Sequence, residues 1–366
     1  MTAMAHQPCK LGPVSAVVCN YNGEAYLEAC LDSLLALDPA PAEILVVDND
    51  SSDGSRALLE QKYPQAKVIP MGRNAGPAAA RNAGMRAATY PWVLALDNDV
   101  VLPVDGLGQL CAAADANPGA VLLQPRSVFA DDPGRVHYDG GYLHYAGLIA
   151  LRNFYAPLPA AEGDGVLPVD AVVSLCLLVN AEVVLAAGGY DERYFILFED
   201  LDLSYRLRSE GHSLLVVEDV LCIHDAGTAG ISFRDGPRYP ARRVRFHSCN
   251  RWVYLTKCYG AWTLVLAAPG LMIYECAQLG FALQQGALGA YFAGKLDFLR
   301  SLPAGWAARR RVQSRRRVGD RQLLVPGPLT LTPAVAQSPG KARLAHWLDR
   351  ALRLPWRLLG PLAASR

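Results

Sequence analysis

Two short carboxylate clusters stand out in this chain of 366 residues. The first, Asp97-Asn98-Asp99, closes the apolar run 92–96. Two carboxylates one residue apart at a strand end can hold a hard divalent cation against a diphosphate, because Mg²⁺ and Mn²⁺ take oxygen ligands and share phosphate oxygens. Such a cation offsets charge that grows on a leaving diphosphate. Taken alone, D-x-D also describes a solvated turn. The second cluster is Glu199-Asp200-x-Asp202, at the head of the amphipathic segment 199–210. Carboxylates there complement a helix dipole. They also follow the apolar aromatic run 194–198, and a carboxylate beside an apolar wall gains the basicity a general base requires. His224 follows a further apolar run. Imidazole is a regular partner of carboxylates on Mn²⁺, although a lone histidine also serves as a structural residue. Asp48 ends another apolar run and could accept from a base N–H or a ribose hydroxyl, or cap the turn after it. Arg73 could meet a phosphate or nucleobase, or form a surface ion pair of small value.

The elements that must position these groups follow from hydrophobic periodicity. Short apolar runs predict strands at 14–19, 44–47, 68–69, 92–96, 120–124, 172–179 and 214–217. Helical spacing predicts helices over 26–37, from the Asp53 turn to 62, over 77–88 with Pro77 in its first turn, over 181–187 and over 199–210. Alternation of strand and helix argues a parallel α/β sheet with helices on its faces. Right-handed crossovers then gather Asn20, Asp48 and Asp97 along one carboxyl edge, where open α/β sheets bind ligands. Residues 126–168, rich in Gly, Pro, His and Tyr, read as a long inserted loop. There is no G-x-x-x-x-G-K-[ST] and no G-x-G-x-x-G after the first strand, which disfavours a P-loop NTPase or a dinucleotide-binding dehydrogenase.

Composition narrows the class further. Hydrophobic residues make up 52% and charged residues 19%, too apolar for a disordered chain. Nine cysteines without a C-x-x-C exclude a disulfide scaffold and a standard zinc knuckle and favour a reducing compartment. Residues 1–10 contain no apolar stretch of the secretory type. The net charge of +1 conceals a divided chain: residues 1–240 carry 15 Lys and Arg against 30 Asp and Glu, and residues 241–366 carry 20 against 4. The acidic front half is a poor nucleic-acid binder, so no nucleic-acid partner is expected. The basic half is rich in Leu, Ala and Trp, which points to an anionic membrane surface. Between Cys258 and Gly294 the only charge is Glu275. Arginines flank that stretch on both sides, so both its ends stay on one side of a membrane and an in-plane or re-entrant helical hairpin fits better than a single span. An ordinary buried helix pair is the alternative. Residues 309–317 hold six arginines, and 341–359 read as a basic amphipathic helix with Trp347 and Trp356.

In chain order the sequence presents Asn20-Tyr21-Asn22-Gly23, Val46-Val47-Asp48-Asn49-x-Ser51-x-Asp53-Gly54-Ser55, Arg73-Asn74-x-Gly76, Asp97-Asn98-Asp99, Gly188-Gly189-Tyr190-Asp191-Glu192, Glu199-Asp200-x-Asp202-Leu203 and His224. This order resembles the family 2 glycosyltransferases, most of all the bacterial rhamnosyltransferase-like members that build surface polysaccharides, over roughly residues 12–230. The resemblance implies a GT-A fold, a Rossmann-like, mostly parallel sheet with flanking helices, here followed by a C-terminal helical membrane-associating region. It implies that Asn20, Tyr21 and Asp48 hold the nucleobase with Arg73 nearby, that Asp97 contacts the ribose or donor sugar, and that Asp99 and His224 hold Mg²⁺ or Mn²⁺. Asp200 matches the general base, Glu199 an acceptor-binding carboxylate, and Asp202 shapes the helix start and the acceptor side. Arg251-Trp252 lacks the Gln of the processive Q-x-x-R-W motif, so a non-processive enzyme is expected.

The expected organisation is an N-terminal tail at 1–11, a glycosyltransferase domain at 12–240, an apolar helical region at 241–307 and a basic tail at 308–366. The expected activity is inverting, metal-dependent transfer from a dTDP- or UDP-sugar, rhamnose being one candidate sugar, to a hydroxyl of a glycan or polyprenyl-linked acceptor. The expected place is the cytoplasmic side of a bacterial plasma membrane, peripheral or re-entrant. Two other readings are a non-catalytic sugar-nucleotide-binding scaffold of a polysaccharide assembly complex and a nucleotidyltransferase. The latter would want a basic Gly-rich loop after the first strand, and Asn20-Tyr21-Asn22-Gly23 has no such charge.

Overall fold

Each predicted strand of the first hundred residues is a short β-branched and apolar run, and each becomes a buried strand or an edge strand of one sheet. A computed structural model describes residues 11–163, 165–225, 239–330 and 338–363. The expectations for the tail at 1–11, except Leu11, and for a signal segment lie outside the described residues. The elements are β1 (Val14–Asn20), α1 (Glu24–Leu35), β2 (Glu43–Asp48), α2 (Ser55–Lys62), β3 (Lys67–Pro70), α3 (Pro77–Ala87), β4 (Trp92–Asp97), β5 (Val100–Val101), α4 (Gly106–Ala116) and β6 (Ala120–Phe129). They continue with β7 (Val136–Tyr138), β8 (Gly141–His144), β9 (Leu148–Leu151), β10 (Val166–Val169), β11 (Cys176–Asn180), α5 (Ala181–Ala186), α6 (Glu199–Glu210) and β12 (Ser213–His224). The C-terminal part contains α7 (Ala241–Cys258), α8 (Ala261–Gln284), α9 (Leu288–Arg315), α10 (Asp320–Leu323), β13 (Leu324–Val325) and α11 (Pro339–Leu359).

The chain divides into two units. The first comprises residues 1–140, 156–195 and 212–225. Its sheet has the order β10-β12-β6-β11-β4-β1-β2-β3, with β5 on β12 and β7 on β6. β3, β2, β1 and β4 run parallel, as do β6 and β12, while β11 is antiparallel to both β4 and β6. The fold is therefore α/β with a parallel half built by the βαβ alternation. One apolar core lies between that sheet and helices α1 and α4, with Val18, Leu31, Leu34, Leu94, Leu96 and Leu110 fully buried. On the other face α3 packs close to β1, because Gly84 brings its backbone down on Val17; a Cβ there would stand 2.2 Å from Val17 Cγ1.

The second unit comprises residues 141–155, 196–211 and 226–366. It contains the small sheet β13-β8-β9 and helices α6 to α11. Helix α7 packs against α9, and α11 lies along α8. The inserted stretch 126–168 is not a loop throughout. The rest of β6, β7 to β10 and a short 3₁₀ turn occupy much of it. Strands β7 to β10 are only three or four residues long, too short to leave an alternating signal among Gly and Pro.

Candidate functional site

In the first unit the parallel registers align the strand ends, pairing Asn20 with Asp48 and Cys19 with Asp97. The predicted residues Asn20, Asp48 and Asp97 therefore share one edge. Asn20 is buried and links the three loops. Its Nδ2 donates to Asp48 Oδ1 at 3.3 Å and to Ser51 Oγ at 3.1 Å, and its Oδ1 accepts from Asn98 Nδ2 at 2.7 Å. Asp48 is fully enclosed. It accepts from the Ser51 N–H and, at 2.6 Å, from Arg56 Nε. Arg56, which the sequence reading missed, is thus the exposed cation beside Asp48. Tyr21, which follows Asn20 in the chain, is 46% exposed.

The Arg73–Gly76 loop is held from below. Asn49 donates to Asn74 Oδ1 at 3.2 Å and accepts from the Ala75 N–H at 2.9 Å. Gly76 sits at φ +85° with its Cα against the Phe195 carbonyl, where a Cβ would come within 2.2 Å. Arg73 itself is exposed and has no partner among the described residues. Asp97 is not free: Arg81 Nη2, buried on α3, donates to it at 2.6 Å. Burial pushes the Asp97 carboxyl up to about 6, against the opposing pull of the Arg81 guanidinium. The neighbouring Asn82 explains the Gly188–Glu192 motif. Its amide pairs with both the N–H and the carbonyl of Tyr190, each at 2.8 Å, and reaches Glu192 at 2.9 Å.

Asp99 and His224 meet because β5 pairs with the end of β12, Val100 opposite His224. His224 Nε2 lies 3.3 Å from Asp99 Oδ2. Behind it, His224 Nδ1 is 2.9 Å from Nδ1 of the buried His137 on β7, which stacks on both His224 and Tyr138. His137 had no local motif to announce it. No group of three His, Cys, Asp or Glu side chains gathers at one point among the described residues. One carboxylate oxygen and one imidazole nitrogen suit a cation that takes its remaining ligands from diphosphate oxygens and water. The donor set therefore fits Mg²⁺ or Mn²⁺ carried in with a diphosphate.

The second unit holds the Glu199-Asp200-x-Asp202 cluster. Leu197 and Phe198, immediately before α6, both have left-handed backbones, at φ 68° and 77°. Asn250 of α7 fastens that turn by donating to the carbonyls of Ile196 at 3.0 Å and Leu197 at 2.9 Å. Phe198 meets the ring of His247 edge-on. Burial, reinforced by Arg251 and Arg243, holds His247 down at about 3 and so neutral. Glu199 is buried. Asp200 is half-buried, and its Oδ1 is shielded from solvent without a hydrogen-bond partner among the described residues. Asp202 is in a different position. It has no exposure, and Arg206 Nε and Lys257 Nζ each stand 2.7 Å from its oxygens. Its chemistry is spent on packing α6 against α7, and it offers no oxygen to an acceptor.

The glycosyl transferase family 2 model matches residues 15–164. The N-acetylglucosaminyl-diphospho-decaprenol L-rhamnosyltransferase of Mycobacterium tuberculosis is 29% identical over 273 residues, which are 68% of this chain and 85% of that protein. The succinoglycan biosynthesis protein ExoO of Rhizobium meliloti is 36% identical over 124 residues, 34% of this chain and 36% of that protein. Among solved structures, S. aureus TarS 1-349 in complex with UDP superposes with a TM-score of 0.49 at 15% identity, over 95% of this chain and 90% of that one. With the family motifs in order and the match spanning the strands that end at Asn20, Asp48 and Asp97, residues 15–164 are a glycosyl transferase family 2 domain and the protein is a glycosyltransferase.

Proposed function

We propose that this protein transfers a sugar, with inversion and without processivity, from a nucleoside-diphosphate sugar to a hydroxyl of a glycan or polyprenyl-linked acceptor in bacterial surface polysaccharide synthesis. The observation that carries the reading is the Asp99–His224 pair, 3.3 Å apart at the carboxyl edge of the sheet. Similarity to the mycobacterial rhamnosyltransferase supports rhamnose as the sugar and a lipid-linked diphosphate as the acceptor; the proposed donor nucleotide is dTDP or UDP.

Asp99 and His224 would hold Mg²⁺ or Mn²⁺, which when bound offsets the charge growing on the departing diphosphate. The exposed Tyr21 takes the nucleoside end of the donor, on loops that the enclosed Asn20 and Asp48 hold in place, and Arg73 is free to swing onto it. Asp97, fixed by Arg81, receives a ribose or sugar hydroxyl. Asp200 takes the proton from the acceptor hydroxyl. Its Oδ1 has no hydrogen-bond partner among the described residues, which leaves its lone pairs to a proton that reaches it. Glu199 orients the acceptor.

Asp200→Asn tests this assignment. Transfer should fall by ~10²–10⁴-fold, the usual share of a general base, while the nucleoside diphosphate binds as before. Free nucleoside diphosphate as product marks glycosyl transfer, whereas pyrophosphate would mark nucleotidyl transfer. An Asp200→Asn protein with full activity removes Asp200 from the role. A wild-type protein that binds donor but releases no diphosphate in the presence of acceptor is a scaffold.

A further inference from the structure

A helix at the surface of a water-soluble protein exposes its polar face and buries its apolar one. In the second unit α8 and the first half of α9 instead present an apolar face outward. The exposed stripe of α8 includes Trp262, Val265, Met272, Cys276, Leu279 and Leu283, spaced three, four or seven residues apart along one face. The polar side chains Thr263, Glu275 and Gln278 are on its buried face. On α9 the exposed stripe is Phe292, Leu296, Leu299, Leu302 and Trp306. From Ala261 to Leu299 no exposed residue carries a charge. The two stripes join, because an apolar groove of about 450 Å³ runs between them, lined by Cys276, Leu279, Leu283, Leu288 and Phe292.

Charge identifies what covers this face. Beyond residue 240 the four acidic side chains are all paired: Glu275 with Arg251 and Lys295, Asp297 with Arg245, Asp320 with Arg316, and Asp349 with Arg353. Lys257 and Arg315 pair with Asp202 and Glu210 of the earlier sequence, and cations still outnumber carboxylates on these helices. On α9 the exposed Arg310 and Arg311 border the apolar surface, and Arg300 stands 3.9 Å from Asp297. On α11, Arg343, Arg350 and Arg357 recur at seven-residue intervals beside the exposed Leu344, Trp347, Leu354 and Leu358. Apolar side chains next to cations whose stems can extend to the headgroups match an anionic lipid surface.

The packing of α8 also sets its orientation. It is long and apolar enough to cross a bilayer. Yet its buried face runs from Thr263 to Ala282, packed on Tyr145 through Gly270 and on α11. In its middle Glu275 accepts from the fully buried Arg251 at 2.8 Å and from Trp252 at 2.7 Å, and is joined by Lys295 and Tyr291. A helix fastened lengthwise to a basic, charged layer cannot carry that layer into hydrocarbon.

We propose that the exposed face of α8 and α9, bordered by the arginines of α9 and α11, seats this protein in one leaflet of an anionic bilayer, with α8 lying in the plane of the interface. The attachment does not depend on which sugar is transferred. The full chain should float with phosphatidylcholine vesicles containing about a third phosphatidylglycerol, and bind them about tenfold or more tighter than pure phosphatidylcholine. Met272→Glu with Leu299→Glu, both at exposed positions, should abolish that binding while the melting temperature stays unchanged. An environment-sensitive label at Cys276, and at Trp262→Cys and Leu283→Cys in a Cys276→Ser background, should be quenched at one shallow depth by lipid-borne quenchers.

Failure of the wild type to bind anionic vesicles would overturn the proposal. So would a label at Cys276 buried at the bilayer centre with the other two near opposite headgroups, which is the pattern of a span. Dimerisation that shields Cys276 from a water-soluble maleimide without lipid would assign the face to a second copy instead.

Discussion

At the residue scale, His137 is the least expected member of the site. A cation on His224 Nε2 needs that nitrogen's lone pair, so the proton must stay on Nδ1. Nδ1 is 2.9 Å from His137 Nδ1, which then accepts it and holds the ring in place. Outer partners of this kind usually matter ~10–100-fold in metal affinity. His137→Ala should therefore weaken Mn²⁺ binding by about that factor, read by electron paramagnetic resonance titration, with a similar melting temperature. His137→Gln, which keeps an acceptor, should recover part of the loss. Equal Mn²⁺ affinity in all three proteins would leave His137 as packing only. The site also marks where sequence reading ends. Asp97, Asp99, Asp200 and His224 were visible because each closes or opens an apolar run. Arg56, Arg81, Asn82 and His137 were not, since each acts through a partner that lies from 8 to 108 positions away.

At the element scale, the turn before α6 fixes where Asp200 stands. Two consecutive left-handed residues without glycine cost ~1–3 kcal/mol each and persist only where the surroundings hold them. Asn250 does that through the Ile196 and Leu197 carbonyls. Asn250→Ala should let the turn relax and move Asp200, lowering kcat by an order of magnitude or more while leaving nucleoside diphosphate affinity intact. Asn250→Asp cannot donate and should behave alike. Full kcat in both variants would mean that the turn holds itself. The predicted boundaries of α6 match the observed helix residue for residue, because its amphipathic run is bounded by an aromatic segment and by Gly211. The apolar run at 172–179 became strand only from Cys176, and antiparallel to its neighbours. A doubly buried strand looks the same in sequence whichever way it runs.

At the scale of the whole molecule, the C-terminal third is structure as well as surface. Read from composition alone, residues 241–307 are a membrane-associating region. In the second unit the same stretch, together with residues 308–320, supplies the partners of α6. Lys257 pairs with the enclosed Asp202, the Tyr205 hydroxyl bonds Asp320, and the Arg317 and Val318 N–H groups donate to the Ser209 carbonyl at 2.7 and 2.9 Å. Breaking a buried ion pair by removing one partner typically costs ~3–5 kcal/mol, a large part of a domain's total stability. A chain ending at residue 240 loses all of these at once. It should be recovered in inclusion bodies or unfold without cooperativity, and should show no transfer even if donor still binds. The full chain in mild detergent should melt in a single transition. A soluble 1–240 fragment that unfolds cooperatively and retains transfer would mean that α6 needs none of these partners, and that the helices beyond Pro240 serve the membrane alone.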